Sequence, residues 1–291
     1  MVIGSVETLI QLAGECSGTI GQAMVKQEAA QQQIPEKDVL AQMEENWRIM
    51  KESIATGIQR PGRSKGGLIG GDGRKLYDYC HSDAELLAGA NVMEAVSYAL
   101  AVAEVNAAMG RIVACPTAGS CGIVPGVLKK IQELDHLTDG EIAMGLMTCA
   151  GFGIVIANRA SVSGAVGGCQ AECGAASAMA AAAAVELRGG TPEQAGEASA
   201  MVLKNLMGLV CDPVAGLVEV PCAKRNAMGA SLAMVMADLA LSGVTSVIPV
   251  DEVITAMGNV GRSLPETLRE TARGGLATTP TGIALNKKIF G

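Results

Sequence analysis

Aromatic side chains are nearly missing from this chain of 291 residues: two Phe, three Tyr and one Trp make up 2% of it. A core of this composition has to be assembled without large rings. Histidine is equally scarce, at two residues, His81 and His136, which argues against a His-rich metal site. Charged residues are thin at 18% and lean acidic, with a formal net charge of −7 and a pI near 5.0. No cluster of Lys and Arg interrupts that balance, and phosphate binding depends on such clusters, so no nucleic-acid partner is expected. The opening stretch MVIGSVETLIQLAGECSG has neither the basic nor the continuous apolar region of a secretory signal, and export is not expected. The longest uncharged run, Ile142 to Asn158, is 17 residues and includes three glycines and Asn158. That sits at or below the limit for spanning ~30 Å of hydrocarbon, so a buried helix is expected there and not a membrane span.

What the chain does have is 49% hydrophobic residues, 37 Gly, 15 Met and long Ala-rich tracts, with a mean hydropathy of +0.33. Small side chains allow helices to approach closely, and the length suffices for a substantial core. Residues 5 to 59 read as helices with a polar middle, Pro35 marking a helix start. Arg60 to Arg74 is a loop, because its six glycines forbid a stable helix. Asn91 is the expected N-cap of the apolar-periodic helix that follows. Thr138 with Glu141, Thr191 with Gln194, and Ser263 with Glu266 read as capping boxes. Strand signals are confined to Arg111–Cys115, Leu217–Val220 and Val247–Val250. The expected fold is therefore mostly α, a single compact helical domain over residues 1–291 with a few very short strands. Residues 1–60 form an N-terminal helical segment of it and no separate domain.

Nine cysteines in a chain expected to be cytoplasmic are not a disulfide framework, since that compartment keeps thiols reduced. Three share a context the others lack: Cys169 in AVGGC, Cys211 in GLVCDP and Cys222 in EVPCAK each stand where a loop meets a helix. Backbone there is free to bend toward a common point, and helix starts favour negative sulfur. The intervals of 41 and then 10 residues match no local zinc or ferredoxin pattern. Each cysteine taken singly also reads as a small buried hydrophobe, and Cys173, four residues after Cys169, is a rival ligand.

Longer segments carry more. VNAAMGRIVACPTAGSCGIVPG, ASVSGAVGGCQAECGAASAMAAAAAVE, GLVCDPVAGLVEVPCAKRNAMGAS and ETARGGLATTPTG resemble the α chain of the two-chain, iron-sulfur-dependent bacterial L-serine dehydratases. The resemblance runs from GGLIGGDG to the end and is weakest in the first 60 residues. It implies a lyase that turns L-serine into pyruvate and ammonia, with Cys169, Cys211 and Cys222 holding a 4Fe-4S cluster whose remaining iron has no protein thiolate. The family's PT-x-G-x-x-G loop falls on Thr117, Gly119 and Ser120, so Thr117 and Ser120 are the implied substrate-binding residues. Some single-chain relatives of this type end in a cysteine that can reach the open iron, whereas this chain ends KKIFG. The His-bearing segment of the family's other domain is also absent, so a separate β chain is the expected partner and the expected source of the base.

The implied chemistry is demanding, because the Cα proton of serine is weakly acidic and hydroxide leaves poorly; an open iron answers as a Lewis acid. Arg159, Lys224 and Arg225 are candidates to pair with the substrate carboxylate or the cluster. Two rival readings remain: a pyridoxal phosphate lyase with Lys65 in the Gly-rich loop as its Schiff-base lysine, and a redox or electron-transfer protein whose cluster takes Cys173 as a fourth ligand.

Overall fold

Capping residues and apolar periodicity partition the chain into helices joined by short irregular segments. The structure, a computed structural model, describes residues 3–16 and 18–291. Helix α1 (Val6–Glu15) is opened by Ser5, whose hydroxyl accepts from the Thr8 N–H at 3.0 Å. Thr19 and Gln22 cap α2 (Ile20–Gln32), and Pro35 stands at the N-cap of α3 (Glu36–Gln59). After the Gly-rich loop come α4 (Asp72–Cys80), α5 (Ala90–Ala107) and α6 (Ile123–Asp135). Helix α7 (Asp139–Arg159) starts on the predicted Thr138–Glu141 box and is followed by one turn, α8 (Gly164–Gly167). Beyond it lie α9 (Ala175–Leu187), α10 (Pro192–Leu206) with its Thr191–Gln194 box, α11 (Cys222–Leu241), α12 (Val250–Ser263) and α13 (Pro280–Phe290).

Several local expectations differ from what forms. Asn91 is the second residue of α5, and the N-cap is Gly89, whose φ of +76° is a left-handed backbone that glycine adopts without steric cost. Ser263 ends α12 and Pro265 starts a 3₁₀ turn, so no capping box exists there. None of the three short apolar stretches becomes a strand. Segments of four or five residues gain little from extension unless a neighbour pairs with them. Among the described residues the only ladder-type pairing is an isolated parallel one between Cys211 and Arg269.

The core centres on α9. All of Ala175 to Glu186 is buried, as expected of a helix that is apolar all round. It packs against α6, α7, α10 and α11, and small residues set the spacing. A Cβ on Gly229 of α11 would lie 2.5 Å from Ser177 Oγ, and one on Gly57 of α3 would lie 2.4 Å from the Ala101 carbonyl of α5. The main core runs from Val6 and Leu9 to Met257 and so includes α1, α2 and α3. Trp47 of α3 is fully buried and donates through Nε1 to Asp139 Oδ1 at 3.2 Å, joining α3 to the start of α7. Helix α7 is long and apolar enough to cross a membrane, yet 61% of its apolar window is buried inside the protein; it is a core helix here.

Three buried glutamates tie distant segments together by accepting from free backbone N–H groups. Glu186 takes the N–H groups of Ile20 (2.7 Å) and Gly21 (3.3 Å) at the start of α2, with the Thr148 hydroxyl at 2.6 Å. Glu104 takes Gly71, Asp72 and Gly73 at the start of α4. Glu219 takes Gly66 (2.6 Å), Leu68 (3.1 Å) and the Ser64 hydroxyl inside the Gly-rich loop.

Candidate active site

Four segments converge around the junction of α8 and α9. Gly168, at φ +76°, turns the chain after α8 so that Cys169 leads into a π-helical turn, Gln170–Gly174, before α9 begins. Such single wide turns recur at functional sites. Gln170 anchors this turn: its backbone N–H donates to Leu209 O at 3.0 Å, its Nε2 donates to Met257 O at 3.0 Å, and its Oε1 accepts from Gly208 N–H at 2.8 Å. The Cys211 segment is thereby held beside Cys169. Cys211 is itself fixed through its backbone, donating to Leu268 O and accepting from Glu270 N–H, both at 2.9 Å.

Cys222 is the first residue of α11, and the next turn of that helix carries two organising side chains. Arg225 donates to Val210 O and to Asp212 Oδ1, each at 2.8 Å, while Asp212 Oδ2 accepts from Leu276 N–H at 2.8 Å. Asn226 donates to Gly119 O (2.8 Å) and Cys222 O (2.9 Å) and accepts from Gly122 N–H (2.9 Å). The Thr117–Gly122 loop is thus tied to the Cys222 turn. Thr117 is half-buried and donates to Glu172 Oε1 at 2.9 Å, whereas Ser120 is fully buried, with its Oγ 3.2 Å from Thr117 Oγ1. Thr117 makes no capping bond to the short helix after it.

The sulfurs share one electrostatic neighbourhood. Contact with Cys173, whose sulfur is 3.4 Å away, holds the Cys169 thiol below its ordinary value; burial opposes this and the Arg225 guanidinium assists it. The same contact, together with burial, drives Cys173 up. Burial also raises Cys211 and pushes Cys222 up to about 12, and in both cases the charge on Cys169 adds to the rise. Two carboxylates complete the group: one oxygen each of Glu172 and Glu270 and the sulfur of Cys211 all lie within 4.8 Å of one another. Burial raises Glu172, the Thr117 hydrogen bond lowers it and Glu270 raises it again. Buried thiols with carboxylates and no imidazole suit a thiophilic metal, whose positive charge draws off the protons that burial otherwise retains. Several buried cysteines and this Glu–Cys–Glu group therefore fit a metal cluster.

Of the cations singled out from the sequence, only Arg225 reaches this place. Arg159 donates to Gly4 O at 3.1 Å and lies 3.6 Å from Asp251, and Lys224 pairs with Asp72. Both histidines are exposed: His81 stacks on Tyr77 at 4.1 Å, and His136 closes α6. Cys115 and Cys149 line an apolar cavity of about 210 Å³ together with Met43, Met50 and Met179. The Gly-rich loop is no phosphate cradle, because the Gly66 and Leu68 amides already bind Glu219 and the Lys65 side chain is exposed. Glu172, Glu270 and Asp212 belong to no sequence motif. One signal did point to Glu172, the single charged residue between Arg159 and Glu186. Arg269, opposite Cys211, likewise stands in no motif, and its Nε is buried without a hydrogen-bond partner among the described residues.

Residues 16–277 match the family model described as serine dehydratase alpha chain. The chain is 53% identical over 287 residues to a probable L-serine dehydratase alpha chain of Bacillus subtilis, covering 99% of this chain and 95% of that one. It is 41% identical over 289 residues to the L-serine dehydratase alpha chain of Peptoniphilus asaccharolyticus, covering 99% of both. Against the L-serine dehydratase of Streptomyces coelicolor it is 38% identical, covering 93% of this chain but 60% of that protein.

Proposed function

Since the chain belongs to the serine dehydratase alpha-chain family, we propose that it is the cluster-bearing subunit of a cytoplasmic L-serine dehydratase that forms pyruvate and ammonia. The observation that supports this reading most is the meeting of the Cys169, Cys211 and Cys222 segments with the Thr117 loop at one spot, clamped by Gln170, Arg225 and Asn226. Cys169, Cys211 and Cys222 would hold a 4Fe-4S cluster. When bound, it supplies a Lewis-acidic iron that eases departure of the β-hydroxyl.

The chain's own residues do the rest of the binding work. Thr117, half-buried, donates its hydroxyl to Glu172, and Ser120, fully buried, brings its oxygen within 3.2 Å of that hydroxyl; these two residues would contact the substrate. Arg225 is occupied by Val210 and Asp212 and stays out of substrate binding. Both histidines are exposed, His81 against Tyr77 and His136 at the end of α6, and the base that takes the Cα proton is assigned to a β chain. The chain spans 60% of the Streptomyces protein, and the remaining two fifths of that protein are what a second polypeptide would supply here. Loss of the Cα proton and of the β-hydroxyl, together one water, yields an aminoacrylate, which tautomerises and is hydrolysed in solution to pyruvate and ammonia.

Anaerobic loading with iron and sulfide, with and without the β chain, followed by a pyruvate assay on L-serine, tests the reading. A loaded complex that makes no pyruvate overturns it. The 3.4 Å approach of Cys173 to Cys169 favours a second reading, a four-thiolate electron carrier. Cys173→Ser separates the two: a three-thiolate lyase keeps its iron and its turnover, and a carrier loses its cluster.

A further inference from the structure

The carboxylates that lie wholly or partly out of solvent fall into two kinds. Glu104, Glu186 and Glu219 each accept three hydrogen bonds from chain segments that need an acceptor. Asp212 is balanced by Arg225 and the Leu276 amide. Their charge is consumed by structure. Glu172 is different: it receives one hydroxyl, that of Thr117, on Oε1, and its other oxygen has no donor. Neither it nor Glu270 takes part in an ion pair among the described residues, and the charge that Glu172 feels from its surroundings is that of Glu270, of its own sign.

The free oxygens of the two residues converge. A Cβ on Gly164 would lie 2.7 Å from Glu172 Oε2 and 3.0 Å from Glu270 Oε2, and one on Gly119 would lie 3.2 Å from Glu172 Oε1. Only glycine backbone fits against these oxygens at Gly164 and Gly119, and the sulfur of Cys211 lies within 4.8 Å of one oxygen of each carboxylate. Two unbalanced carboxylate oxygens at a half-buried spot attract a cation with several donors. On the same stretch of chain Arg269 carries a buried, unpartnered Nε, a donor of the opposite sign beside the same cysteine.

We propose that Glu172, assisted by Glu270, binds the α-ammonium group of the substrate and so makes the site specific for amino acids over hydroxy acids. The proposal rests on the serine dehydratase reading. Thr117, by donating to Oε1, turns the second oxygen toward the ligand, which makes Thr117 a positioning residue for Glu172 as well as a wall of the site. A divalent metal ion is the competing occupant of the same oxygens, and the test tells them apart.

The test uses the anaerobically loaded two-chain complex, wild type and Glu172→Gln, with iron per protein and visible absorption measured first. Binding of L-serine and of 3-hydroxypropanoate, which keeps the carboxylate and β-hydroxyl but lacks the ammonium, is followed by the change in the visible spectrum, alongside kcat and KM. Losing one charge-assisted contact is expected to weaken serine by about 10- to 100-fold in both dissociation constant and KM. Cluster content and the affinity for 3-hydroxypropanoate stay close to wild type. Glu270→Gln, at the exposed rim, is expected to produce a smaller loss in the same direction and serves if the first variant does not fold. Equal weakening of both ligands overturns the proposal in favour of a role in holding the loop. Loss of kcat at unchanged KM overturns it in favour of proton transfer, and loss of iron overturns it in favour of metal ligation. A wild-type complex that neither makes pyruvate nor responds spectrally to serine sinks the dehydratase reading itself, which Glu172→Gln cannot do.

Discussion

Arg225→Met tests whether the cysteine segments are held together by one buried ion pair. The Arg225 and Asp212 side chains are 12% and 5% exposed, with 2.8 Å between Nη2 and Oδ1. Methionine keeps most of the volume but removes the guanidinium, leaving the Asp212 carboxylate with the Leu276 N–H alone and the Val210 carbonyl without its donor. Stranding a buried charge in this way costs about 3–5 kcal/mol. For a chain of 291 residues, an unfolding entropy of about 2 cal/mol/K per residue converts that into a fall in Tm of about 5–8 °C. The measurement is thermal unfolding of the metal-free chain under reducing, anaerobic conditions, so that metal binding does not contribute. Asp212→Asn and the double variant complete a cycle. Because the double variant strands no charge, its loss is expected to fall short of the sum of the single losses by more than about 1 kcal/mol. Additive losses, or a Tm shift of about 1 °C for Arg225→Met, would refute the view that this pair is buried and coupled, since exposed pairs behave that way.

Two further outcomes follow from burial and close approach. Burial raises Glu186 above its ordinary value of 4.5 despite its three donors, so the folded chain binds this proton more tightly than the unfolded chain. The resulting stability is complete below about pH 4.5 and is lost as pH rises through the folded value; Glu186→Gln removes that decline, and urea midpoints of the two metal-free proteins between about pH 4.5 and 7.5 should converge or cross, parallel curves counting against the assignment. At Gly122 a Cβ would meet Ala99 O at 2.1 Å and Asn226 Oδ1 at 3.1 Å, so Gly122→Ala should cost about 1–3 kcal/mol in a melting experiment, and a melt unchanged from wild type would mean that α5 and the loop yield freely.

Helix content was legible because it depends on short-range chemistry. The Thr138 and Thr191 boxes and the Pro35 start lie where local hydrogen bonding places them, and the Ala-rich tract is apolar on every side, which requires a central position. Local signals failed where the deciding partner is remote. Ser263 and Glu266 have the spacing of a box, but Pro265 between them terminates α12 and directs the chain to Cys211. Leu217–Val220 reads as a short strand, yet Glu219 is drawn into a loop more than 150 residues earlier in the chain. An acceptor chosen over that distance leaves no trace in a window of four residues.

The same difficulty governs the site. Cys169, Cys211 and Cys222 were recognisable as residues at chain breaks and through a family resemblance, but the residues that bring them together, Gln170, Arg225 and Asn226, read in the sequence as an ordinary amide, one of several helix-edge cations and another amide. Each acts on a segment fixed by tertiary structure: Arg225 on residues 13 and 15 positions away, Asn226 on residues 104 and 107 positions away. Glu172 illustrates the limit most clearly. A glutamate in an apolar helix is either an acceptor for stranded amides, as Glu186 is, or an unspent charge, and the sequence is silent on which because the distinction lies in how many donors reach it. The number of donors separates the two before any ligand is known, since of a carboxylate's roughly four lone-pair sites three N–H or O–H groups leave about one, whereas a single hydroxyl leaves about three.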